Sequence, residues 1–91
     1  MNYADYAVLV VDDDITNRAM LYSILAKEGY AVAQAENGKQ ALDMLNNELF
    51  DLVLLDIVMP EMDGIQALEA IKANKNFRNV AVMMTTAAKE A

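Results

Sequence analysis

Three consecutive carboxylates, Asp12-Asp13-Asp14, follow the apolar stretch Ala7–Val11, and a fourth, Asp56, ends the apolar stretch at residues 52–55. Two hydroxyls, Thr85-Thr86, follow a third such stretch at residues 80–84. The chain has no His and no Cys, which removes imidazole bases, thiolate nucleophiles, disulfides and soft-metal sites. Chemistry here rests on carboxylates, hydroxyls, amines and a bound ion. Converging carboxylates repel one another unless a cation neutralises them. An all-oxygen donor set selects a hard ion, Mg2+ above all, which keeps waters and shares its sphere with phosphate. A carboxylate beside such an ion can attack phosphorus and become an aspartyl phosphate.

Each of these residues also has a plain structural use. Asp at a strand end forms turns and caps helices; Asp14 before Ile15 fits an N-cap, and Asp63 before Gly64 fits a turn. Three polar strand ends together favour the chemical reading and leave the nucleophile open between Asp12 and Asp56.

The elements that must position these groups follow from periodicity. The stretches Ala7–Val11, 52–55 and 80–84 are nearly continuously apolar, as strands buried on both faces of a parallel sheet are. Ala31–Ala35 is weaker, is interrupted by Gln34 and suits an edge. Helical spacing is expected over 15–28, with Ile15, Ala19, Tyr22 and Leu25 on one face and Gly29 as the stop. Further helices are expected over 39–46, with Ala41, Leu42 and Leu45, and over 65–73, with Ile65, Leu68 and Ile71; residues 74–79 read as a loop. The order β-α-β-α-β-α-β implies an α/β fold, a parallel sheet with helices on both faces and right-handed crossovers. In such sheets ligands bind beyond the carboxyl ends of the strands. If the first and third strands are neighbours, Asp12 and Asp56 converge there.

Length and charge bound the rest. Ninety-one residues leave room for one domain, given about 100–200 residues per domain. Fourteen acidic against seven basic residues give a net charge of −7, which argues against nucleic-acid binding. No apolar stretch is long enough to span a bilayer and the first residues lack a basic signal region, so a cytoplasmic location without membrane contact is expected. The seven Met residues read as core filler.

Two family resemblances divide the nucleophile. Asp12-Asp13-Asp14-Ile15-Thr16 resembles the Asp-x-Asp-x-Thr opening of haloacid-dehalogenase-type phosphatases, with Thr85 or Thr86 imitating their second motif. That would make Asp12 the nucleophile and the second Asp of the pattern an acid, but the family's later Lys and acidic pair have no counterpart here. The stretches Val10-Val11-Asp12-Asp13, Leu54-Leu55-Asp56-Ile57-Val58-Met59-Pro60-Glu61-Met62-Asp63-Gly64 and Val82-Met83-Met84-Thr85-Thr86-Ala87 resemble the receiver domain of two-component response regulators along the whole chain. This resemblance implies a flavodoxin-like doubly wound sheet, with Asp56 as phosphoacceptor. It implies Mg2+ held by Asp12, Asp13, Asp56 and the backbone carbonyl of Val58, and Thr86 as the switch hydroxyl. Met59, Pro60 and Gly64 would shape the loop. The implied phosphoryl donor is a phospho-His on a sensor histidine kinase or phosphotransfer protein, with docking on the first helix, which Asn17 and Arg18 open.

Receivers continue past their fourth strand with a helix, a strand ending in a phosphate-sensing Lys, and a last helix. None of these has a counterpart in residues 1–91, so a receiver domain truncated after its fourth strand is expected. The fourth strand would then be an apolar edge, open to pairing with a second copy. Val58 and Ala88, two residues after Asp56 and Thr86, cannot hydrogen-bond an attacking water, which implies a slowly hydrolysed phosphoryl group. The opposing possibility is a degenerate receiver that binds a partner without being phosphorylated.

Overall fold

The computed structural model describes residues 5–57, 59 and 64–85. Four strands, β1 (Ala7–Val11), β2 (Ala31–Ala35), β3 (Leu52–Asp56) and β4 (Ala81–Thr85), alternate with three helices, α1 (Ile15–Lys27), α2 (Gly38–Asn47) and α3 (Gly64–Ala73). The strands form one parallel sheet in the order β2-β1-β3-β4. The order reverses between β1 and β3, so the expected crevice forms at their carboxyl ends. β2 lies at an edge, as its polar interruption suggests.

Local chemistry sets the boundaries. Asp14 caps α1, its Oδ1 accepting from the Thr16 and Asn17 backbone N–H groups at 2.9 and 3.2 Å. Gly29 ends the helix at φ 100°, a left-handed conformation that side chains resist. Asn37 caps α2 by accepting from the Gln40 N–H at 2.8 Å. The segment expected as a loop at 74–79 contains a 3-10 turn, Lys75–Phe77, capped by Asn74 and anchored by buried Phe77.

Because side chains alternate along a strand, the sheet has two distinct faces. Leu9, Val11, Val53 and Leu55 pack under α2 and α3 with Ala41, Leu45, Ala67 and Ile71. Val8, Val10 and Leu54 pack under α1, with Leu21, Leu25, Tyr30, Val32 and Leu52 partly buried around them. At the amino ends of the strands, Asp51 ties three of them together. Its Oδ2 accepts from the Ala7 N–H at 2.8 Å, its own N–H donates to the Ala7 carbonyl, and its carbonyl accepts from Ala81.

The inward faces of two helices differ from those expected. On α1, Ile15 is 70 % exposed, and Ala19 and Tyr22 are also exposed, while Arg18 is buried and Leu21 and Leu25 are partly buried. Apolar residues lie nearly all around this helix, so spacing alone could not select the side. The buried residue is a cation that a hydrophobic pattern passes over. On α3, Gly64, Ala67 and Ile71 face inward and Ile65 does not.

Candidate functional site

β1 and β3 are paired so that Val11 lies opposite Leu55. Asp12 and Asp56, each one residue further on, therefore end side by side. Carboxylate oxygens of Asp12, Asp13 and Asp56 lie within 4.8 Å of one another. Asp56 is 1 % exposed and Asp12 is also buried, while Asp13 is exposed at the mouth. Three carboxylates at this spacing, two of them buried, form a group that could hold a cation.

Asp12 is held at several points. Its N–H donates to the Ala35 carbonyl at 3.2 Å, its Oδ1 accepts from the Asp14 N–H at 2.8 Å, and its carbonyl accepts from Arg18 Nη1 at 2.8 Å. Asp56 is paired with Thr85 across β3 and β4, and the Ile57 N–H donates to the Thr85 carbonyl at 3.1 Å. Behind Asp56, the Gly64 N–H donates to the Ile57 carbonyl at 2.8 Å. A Cβ at Gly64 would overlap the Asp56 carbonyl oxygen and come within 2.6 Å of Ile57 Cα. Only glycine lets α3 start this close to the carboxylate-bearing strand. Met59 is buried in the α2/α3 core and anchors the loop between β3 and α3.

The structure thus brings Asp12, Asp13 and Asp56 together and places Met59 and Gly64 beside them. Val58, Pro60, Thr86 and Ala88 lie outside the described residues. Asp14 caps α1 through its Oδ1 and is not one of the three clustered carboxylates. Arg18 is a residue that sequence reasoning misplaced, since it turns inward to Asp12 instead of joining the open face of α1. The signal available was its spacing, because 18, 21 and 25 share one side of a helix.

The donor set fits Mg2+. All three candidate ligands offer carboxylate oxygens, the hard donors this ion takes.

The chain is similar to known proteins. The receiver domain of response regulators matches residues 8–91. Sporulation initiation phosphotransferase F of Bacillus subtilis (strain 168) is 45 % identical over 80 residues, covering 88 % of this chain and 63 % of that protein. The transcriptional regulatory protein ZraR of Escherichia coli (strain K12) is 48 % identical over 73 residues, 80 % of this chain and 17 % of ZraR. The chain therefore spans less than two thirds of either relative. Among solved structures, the response regulator TrrA of Thermotoga maritima in complex with Mg2+-BeF superposes with a TM-score of 0.84 at 36 % identity, over 92 % of this chain and 71 % of TrrA. A four-stranded parallel sheet with its acidic cluster at the β1–β3 switch point, matched over nearly the whole sequence, makes this chain a member of the response regulator receiver domain family.

Proposed function

We propose that the chain is the phosphoacceptor of a two-component phosphorelay in the cytoplasm, taking a phosphoryl group onto Asp56 from a phospho-His of a sensor kinase or phosphotransfer protein. The meeting of Asp12, Asp13 and Asp56 within 4.8 Å at adjacent strand ends carries this reading. The relative named as a phosphotransferase and the TrrA complex with Mg2+-BeF support it.

In this reading an Asp56 carboxylate oxygen attacks phosphorus, a P–O bond forms, and the P–N bond to the partner's imidazole breaks. The chain has no His, so the leaving imidazole belongs to the donor. Asp12, Asp13, Asp56 and the Val58 carbonyl would hold Mg2+, which would supply positive charge to offset that on the phosphoryl oxygens. Gly64 and Met59, with Pro60, set the loop, and Thr86 supplies the hydroxyl that closes on the phosphoryl group. Val58 and Ala88 offer no side-chain partner to a hydrolytic water, so the acyl phosphate persists.

Incubation with a small-molecule phosphoryl donor and Mg2+ tests the reading by intact mass. One phosphoryl group on the protein and none on Asp56→Asn supports it, and equal labelling of both overturns it. Release of inorganic phosphate within seconds overturns the slow-hydrolysis part. Beryllofluoride binding with Mg2+ separates a competent site from a receiver that only docks.

A further inference from the structure

Resting on the Mg2+-dependent reading above, we propose that Arg18 is a positioning residue for the acidic cluster: its guanidinium, braced by Gln34, holds the Asp12 carbonyl and so sets the angle at which Asp12 and Asp13 face Asp56. Arg18 is only 8 % exposed. A buried guanidinium is costly unless its donors are satisfied. Its two hydrogen bonds go to neutral acceptors, Nη1 to the Asp12 carbonyl at 2.8 Å and Nε to Gln34 Oε1 at 3.1 Å. The first acceptor follows β1 and the second lies on β2, so one side chain from α1 links both strands.

The geometry transmits to the ligands. The Asp12 carbonyl and the Asp13 N–H belong to one planar peptide unit. Fixing that carbonyl fixes the direction in which the chain leaves Asp12, and hence where exposed Asp13 presents its carboxylate. The Asp12 Oδ1 bond to the Asp14 N–H closes the same turn from the side-chain end. A planar fork with donors at fixed angles suits this bridge, whereas an ammonium on a flexible stem does not.

Charge and position act in opposite directions here, which makes the role separable. A cation near a metal site opposes metal binding. If Arg18 mattered only as a charge, Arg18→Met would tighten Mg2+ binding and Arg18→Lys would resemble the unsubstituted protein. If it mattered only for packing, stability would fall and Mg2+ affinity well below the unfolding temperature would stay the same.

Calorimetric Mg2+ titration of the full chain, with the Asp13 amide nitrogen shift recorded in metal-free protein, tests the proposal. Arg18→Met and Arg18→Lys are each expected to weaken Mg2+ binding by about fivefold or more, the scale of one lost hydrogen bond, and to move the Asp13 signal. Gln34→Ala, at an exposed position, is expected to weaken binding by about twofold, part of one such bond, and carries the test if Arg18→Met does not fold. Unchanged or tighter binding in Arg18→Met, full affinity in Arg18→Lys, or unchanged affinity and Asp13 shift in Gln34→Ala overturns the proposal alone. Absence of Mg2+ binding by the unsubstituted protein overturns the functional reading and this inference with it.

Discussion

The two faces of the sheet are built differently. Under α2 and α3, Leu9, Val11, Val53 and Leu55 meet two helices, and Phe50, Met59 and Phe77 complete the core. Under α1, three buried residues, Val8, Val10 and Leu54, meet one helix. There a groove of about 280 Å³ stays open between Tyr6, Val8, Leu25, Tyr30 and Leu52. The edge-to-face pair of Tyr6 and Tyr30, with ring centroids 5.7 Å apart, borders it. Asp12 has the alternation of Val8 and Val10, and Asp56 that of Leu52 and Leu54. Asp12 and Asp56 therefore lie on the α1 side of the sheet.

Substitution at the site should separate the two faces most sharply. Asp56→Asn is expected to abolish phosphoryl incorporation while leaving the α2/α3 core intact, checked by intact mass together with urea unfolding. Next in size, Ile71→Ala on the inward face of α3 is expected to cost about 2–5 kcal/mol, the range for a large-to-small change in a closed core. Leu21→Ala under α1 is expected to cost less than half of that, because its surroundings are already open. Equal losses in urea unfolding would mean that the two faces are packed alike.

Gly64→Ala crosses the division, since the added methyl meets the backbone of Asp56 and Ile57. An expected cost of about 1–3 kcal/mol, typical of overpacking, should come with weaker Mg2+ binding in a titration. The smallest effect is reserved for Asp14→Ala. Loss of the α1 cap is expected to cost about 1 kcal/mol in urea unfolding, with Mg2+ affinity nearly unchanged, which separates the capping Asp from its ligating neighbours.

Much of this was legible from residue types. Runs without alternation at β1 and β3 identified a parallel sheet because these two strands are buried on both faces, whereas β4 is half-buried or exposed throughout, and Asp12 and Asp56 at strand ends marked the acidic cluster. What stayed hidden depends on packing. Ile15 looked like a core residue because apolar side chains surround α1, and Arg18 looked like a surface residue because a buried cation leaves no hydrophobic signature. The inward set on α3 begins at Gly64, whose lack of a side chain registers on no hydropathy scale. Phe77 in the 74–79 segment was obscured by its polar neighbours. Asp14 showed the reverse, since its residue type and its position just before Ile15 were enough to mark it as a cap.

The knot of hydrogen bonds at Asp51 reaches further than its location suggests. A β-strand neither stretches nor shortens appreciably, so the five steps from Asp51 to Asp56 act as a ruler of about 17 Å, at 3.3 Å per residue. By anchoring Asp51 to Ala7 and Ala81, the protein sets the zero of that ruler at the far end of the sheet. A slip of one residue there would turn the Asp56 carboxylate into the α2/α3 core. The aim of the candidate reactive oxygen is thus calibrated by a contact that no ligand, metal or partner at the site would touch.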